Sequence, residues 1–233
     1  MNKLVIVSLV ALLMTGFGWR FYTSSHLPGA KTDTTSTEEL SGSESTIIAF
    51  GDSLTAGYGV LQSEAYPAQL QIALVQAGYK VSVINAGVSG ETTRGNLERA
   101  DFIRAQNADI VIVGIGGNDA LRALPIEETE KNILATIDIL QSGETPPQLL
   151  LLQMQAPLNA GISYKEQFDS LYRRIADERG LMLVPFLTDD IFLDTANKLP
   201  DGIHYNKQGY QKVVKQYIFP FAIKLLDTME NDE

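Results

Sequence analysis

The chain has 233 residues, 45% hydrophobic and 20% charged, with a formal net charge of −10. That suits one globular domain and excludes the basic face that nucleic-acid binding needs. There is no cysteine and only two histidines, His26 and His204, which excludes disulfides, thiolate metal sites, a cysteine nucleophile and a histidine-built metal centre.

The first element in chain order is a targeting segment. Lys3 precedes an apolar run from Leu4 to Met14 that fades through Trp19, the pattern of a secretory signal. The run is short for a full membrane span, which takes roughly 20 apolar residues. No clear A-x-A cleavage site follows, and Arg20 comes directly after the run. Residues 1–22 therefore read as a cleaved signal peptide or an uncleaved N-terminal membrane anchor. Both place the rest of the chain outside the cytoplasm, periplasmic or secreted. Residues 23–45 are rich in Ser and Thr and poor in apolar side chains, the composition of a flexible tether. His26 lies in it and is assigned no role. Residues 46–233 are expected to form the folded domain.

Within that domain strand-like and helix-like segments alternate. Strands are expected at Thr46 to Phe50, Val81 to Ile84, Ile110 to Ile115, Leu149 to Leu152 and Leu181 to Val184. Helices are expected at Ala65 to Gln76, Thr93 to Gln106, Glu127 to Gln141, Tyr164 to Arg179 and Asn206 to Asp227. Gly78 and Gly180 act as stop signals, and a break is expected at Pro220. This order implies an α/β fold, a five-stranded parallel sheet in a three-layer α/β/α sandwich. Ligands of such sheets bind beyond the carboxyl ends of the strands. The turns Gly51-Asp52-Ser53, Gly87-Val88-Ser89-Gly90 and Gly116-Gly117-Asn118-Asp119 should therefore crowd one edge.

His204 is the one histidine of this domain, and Asp201 precedes it by three residues. An aspartate can accept from one ring nitrogen and fix the tautomer that a Ser-His-Asp hydrolase needs. Ser53 directly follows the first strand, as a nucleophile or as the N-cap of a following turn. Gly90 is either a backbone oxyanion donor or a turn residue, and Asn118 either a side-chain donor or a loop cap. Neither the G-x-S-x-G elbow nor a phosphate-binding loop occurs. Together, Ser, Gly, Asn, Asp and His on successive strand-end loops make a complete acyl-hydrolase set.

The sequence resembles the GDSL or SGNH hydrolase superfamily, and within it the bacterial thioesterase, lysophospholipase and arylesterase group. The blocks that carry the resemblance are Gly51-Asp52-Ser53-Leu54-Thr55-Ala56-Gly57-Tyr58-Gly59, Asn85-Ala86-Gly87-Val88-Ser89-Gly90-Glu91-Thr92-Thr93, Gly116-Gly117-Asn118-Asp119-Ala120-Leu121-Arg122 and Asp201-Gly202-Ile203-His204. The resemblance implies a flavodoxin-like SGNH fold, a catalytic triad of Ser53, Asp201 and His204, and an oxyanion hole from Ser53, Gly90 and Asn118. It implies no metal and no organic cofactor. Asp52 and Asp119 are expected to bond loop backbone. One departure is Tyr205, where the group often has proline after the histidine. The implied substrate is a small acyl ester, thioester or lysophospholipid, with no nucleic acid or protein partner. Two alternatives are a carbohydrate O-acetyl esterase of the same superfamily and a non-catalytic flavodoxin-like binding module. The loops at Ala120 to Leu124 and Met154 to Tyr164 are expected to set substrate choice.

Overall fold

The computed structural model describes residues 44–231, so the expected signal or anchor lies outside the described residues, as does all but the end of the tether. Five parallel strands form the sheet: β1 (Ser45–Gly51), β2 (Val81–Gly87), β3 (Ile110–Gly114), β4 (Gln148–Gln153) and β5 (Met182–Pro185). Their order is β2-β1-β3-β4-β5. The chain leaves β1 toward one edge, returns past it to β3 and then runs to the other edge. The reversal opens a crevice beyond β1 and β3, the place where doubly wound sheets bind ligands.

Burial explains why the strands read as they do. All five residues of β3 are buried, because helices cover both of its faces, so Ile110-Val111-Ile112-Val113 is apolar without alternation. At the sheet edge, only Val81 of β2 is buried.

Nine α-helices accompany the sheet among the described residues: α1 (Ser53–Ala56), α2 (Tyr66–Gln76), α3 (Thr93–Arg104), α4 (Gly117–Leu121), α5 (Ile126–Leu140), α6 (Ile162–Arg179), α7 (Asp189–Phe192), α8 (Lys207–Val213) and α9 (Phe219–Asn231). Helices α3, α5 and α6 pack in sequence on one side, and α2, α8 and α9 pack together on the other. This is the expected three-layer sandwich. Pro67 sits in the first turn of α2, where its missing N–H costs nothing. Gly180 closes α6 with φ 64°. None of the helices among the described residues is long and apolar enough to cross a membrane.

Two expectations need correction. The short helices α1, α4 and α7 were not expected, since four or five residues carry no readable period. The break in the last helical stretch also starts earlier than Pro220. Residues Val214–Ile218 form a π-helical turn, and Pro220 lies inside the first turn of α9. Proline has no N–H, and its ring crowds the carbonyl four residues back, so the ladder widens in the turn before it.

Candidate active site

Strands β1, β2 and β3 each end just ahead of a candidate site residue. Strand β1 stops at Gly51, and Asp52 caps α1 by accepting from the Leu54 N–H at 3.0 Å. The N-cap is thus Asp52, and Ser53 is the first residue of the helix with its side chain free of capping. Ser53 and Gly90 donate no backbone N–H to any described residue. Gly90 has φ 81°, a conformation that disfavours a side chain, and its carbonyl accepts from Arg122 Nη2 at 2.9 Å. Arg122 follows α4, whose second residue is the buried Asn118.

Two loops are tied at their roots. The Val88 N–H donates to the Gly51 carbonyl at 3.0 Å. Arg99 reaches from α3 to the Ala86 carbonyl at 3.1 Å and the Gly51 carbonyl at 3.5 Å, lies 4.8 Å over the Phe50 ring, and pairs with Glu91 at 2.5 Å. Glu91 is the neighbour of Gly90, so one guanidinium joins the exits of β1 and β2.

His204 arrives from the other end of the chain. Its Nε2 lies 2.8 Å from Ser53 Oγ, and its Nδ1 lies 2.8 Å from Asp201 Oδ2. Asp201 Oδ1 also accepts from the N–H groups of Ile203 at 2.9 Å and His204 at 3.0 Å. Burial opposes the Asp201 charge, but the His204 N–H, the His204 ring and the Ile203 N–H together outweigh it and hold the carboxyl below its ordinary value. An ionised Asp201 only accepts, so the neutral ring carries its proton on Nδ1 and leaves Nε2 to accept from Ser53. The Tyr58 ring leans on His204 at 4.6 Å between centroids.

Tyr205, the departure from the resemblance, is fully buried. Its hydroxyl donates to the Phe186 carbonyl at 2.8 Å, and its ring meets Phe186, Phe192 and Tyr210 edge-on. It anchors the loop that carries His204.

Asp119 bonds backbone as expected, accepting from the Thr93 N–H at 2.8 Å and also from the Thr93 hydroxyl at 2.6 Å. Asp52 does more than expected. Besides the Leu54 N–H, it accepts from Asn118 Nδ2 at 3.4 Å. It is 1% exposed, and burial pushes its carboxyl up from 3.8 to about 6, against the Leu54 N–H, His204 and Asn118, which pull it down. The expectations also gave no role to Arg99, Glu91 or Arg122. Their partners lie on other loops, and no local spacing announces such contacts. No cluster of metal-ligating side chains occurs among the described residues.

Comparison with known proteins decides the family. The sequence profile of the GDSL-like Lipase/Acylhydrolase family matches residues 49–212. The chain belongs to that family. The thioesterase 1/protease 1/lysophospholipase L1 of Escherichia coli K12 is 33% identical over 189 residues, 81% of this chain and 86% of that one. The arylesterase of Vibrio mimicus is 29% identical over 181 residues, 77% of this chain and 89% of that one. Among solved structures, the psychrotrophic esterase EstA from a Pseudoalteromonas species superposes with TM-score 0.71 at 29% identity, covering 78% of this chain and 98% of that one. The structure of TesA gives 0.72 at 29% identity, covering 77% of this chain and 99% of that one. As a GDSL family member with the SGNH fold, the protein is a GDSL-type ester hydrolase.

Proposed function

We propose that the protein is a serine esterase in which Ser53 is the nucleophile, His204 the general base and acid, and Asp201 the residue that orients His204. The observation that carries this reading is the unbroken chain Asp201–His204–Ser53, with both hydrogen bonds at 2.8 Å. Ser53 Oγ attacks the acyl carbonyl as its proton passes to His204 Nε2. His204 then protonates the leaving group, and water cleaves the acyl-enzyme by the same route in reverse. The Ser53 and Gly90 N–H groups and the Asn118 amide are the donors for the oxyanion. Each step uses side chains and backbone alone, so the reading calls for no cofactor.

The proposed substrates are acyl esters, thioesters or lysophospholipids. Support comes from exposed large apolar side chains on the segments that follow the strands, Tyr58, Val88, Leu121, Leu158, Ile162 and Ile203, with Tyr58 in contact with His204. Exposed apolar side chains suit an acyl chain better than a sugar. The E. coli relative is named as a thioesterase and lysophospholipase, and the Vibrio relative as an arylesterase. The apolar start and the Ser/Thr-rich stretch support export, with residues 1–22 as signal or anchor and 23–45 as tether to a hydrolase domain over 46–233.

The test is a panel of p-nitrophenyl and acyl-CoA esters of graded length, with wild type and Ser53→Ala. Wild type should hydrolyse the esters, and the variant should lose roughly 10⁴- to 10⁶-fold in kcat with an unchanged fold. Substantial turnover by Ser53→Ala would remove Ser53 as nucleophile.

A further inference from the structure

We infer that Asp52 is a positioning residue for the Asn118 amide, its carboxylate forcing Asn118 to present nitrogen rather than oxygen to the oxyanion. The inference rests on the serine-esterase reading and deepens it, adding a residue which that mechanism does not use.

Asp52 is the buried carboxylate beside the nucleophile. Its Oδ1 is taken by the Leu54 N–H, and its Oδ2 faces Asn118 Nδ2. Room for Oδ2 is kept by Gly117, where a Cβ would come within 2.8 Å of that oxygen. A side chain at this position would crowd Oδ2, so the glycine leaves the carboxylate its place beside the amide.

The consequence follows from donor and acceptor inventory. An ionised carboxylate only accepts, so Asn118 must turn its NH₂ toward it. One Nδ2 hydrogen is spent on Asp52, and the second stays free to meet a developing oxyanion. A protonated carboxyl, or a carboxamide, carries a donor of its own. It can pair with Asn118 Oδ1, and the amide can then flip and set an oxygen against the oxyanion. The electrostatic stabilisation turns to repulsion without any change of fold.

The charged and titratable groups around Asp52 are His204, Asp119 and the buried phenols Tyr66, Tyr172 and Tyr210. Burial pushes all three phenols up, away from neutral pH. The phenols therefore stay neutral as the medium is acidified, while the Asp52 carboxyl takes up a proton.

The experiment is a double-mutant cycle of Asp52→Asn and Asn118→Ala, read as kcat and KM on a p-nitrophenyl ester. Asparagine keeps an oxygen for the Leu54 N–H, so the helix cap survives. Its NH₂ then faces the NH₂ of Asn118, donor against donor. Asp52→Asn should lower kcat by about 10²-fold, the scale of one lost oxyanion donor, with KM changed less than about threefold. In the Asn118→Ala background the same substitution should cost less than about threefold. Equal losses in both backgrounds, a loss in KM alone, or a kcat within about twofold of wild type would overturn the inference.

A second measurement needs no variant and no turnover. In ¹⁵N- and ¹³C-labelled wild type, the Asn118 side-chain amide and the Asp52 carboxyl carbon should shift with one shared midpoint as pH is lowered. An amide that stays still while that carboxyl titrates would overturn the inference. Ester hydrolysis by wild type and its loss in Ser53→Ala test the esterase reading separately, so the failure of one is told from the failure of the other.

Discussion

The two turns that meet at the Ser53–His204 hydrogen bond are held in opposite ways. The Ser53 turn is sunk in the molecule. Asp52, Leu54 and Thr55 are buried, and α1 packs against β1 and β2. The His204 turn stands at the surface. Gly202 and Ile203 are exposed, Asp201 keeps about a third of its side chain in solvent, and the loop is held by the Leu199 N–H to the His204 carbonyl and by buried Tyr205. A deeply set Ser53 thus faces a His204 on a shallower mounting, whose ring is oriented by one carboxylate. Substitutions in the first turn should show their effect in the chemistry of the oxyanion, and those in the second in the placement of a proton.

The largest expected effect that sharpens this contrast is at Asp201. Asp201→Asn should cost about 10³- to 10⁴-fold in kcat, because the amide no longer enforces the Nδ1–H tautomer. Activity close to wild type would leave a Ser-His dyad. Only the neutral His204 ring accepts from Ser53.

The next effect concerns stability rather than rate. The folded protein raises the Asp52 carboxyl from 3.8 to about 6. Between those values the native state holds a proton that the unfolded state has released. Native stability therefore falls as pH rises through that window, by on the order of 3 kcal/mol in all. Asp52→Asn has no such proton to lose. Thermal midpoints of wild type relative to the variant should drop between about pH 4 and 7, and a constant difference would contradict the burial of a charge at this site. A residue that costs stability when ionised and is needed ionised for catalysis is the pattern expected of a functional carboxylate.

The smallest effect tests the mounting of His204. Tyr205→Phe keeps the ring packing but strands the Phe186 carbonyl, and should cost about 1–2 kcal/mol of stability. With the ring still in place, kcat should stay within about twofold. A tenfold loss in kcat would show that the hydroxyl, and not the packed ring, sets the height of His204.

These contrasts also explain what was legible beforehand. The strands were readable because burial on both faces makes β3 and β4 continuous apolar runs, and the turns because glycine, serine and asparagine at strand ends are unusual in combination. Ser53, Gly90 and Asn118 stand out as candidates that way, and His204 as the one histidine of the domain with Asp201 three residues ahead. The bond between Asp52 and Asn118 could not, since it spans 66 residues and depends on how β1 and β3 pair. Arg99 read as one more charge on a helix, because its carbonyl partners sit on other elements. The capping role fell to Asp52 instead of Ser53, a one-residue difference that propensity does not resolve, since both residue types are good caps.

The hydrogen bond between Ser53 and His204 joins positions 151 residues apart. During synthesis the serine turn is complete as sequence long before the histidine exists. In the proposed mechanism a chain truncated ahead of position 204 carries a serine with no base to draw its proton. Turnover then requires the loop that carries His204 to have closed against the first strand turn, and a chain that has not made this contact is expected to leave esters intact.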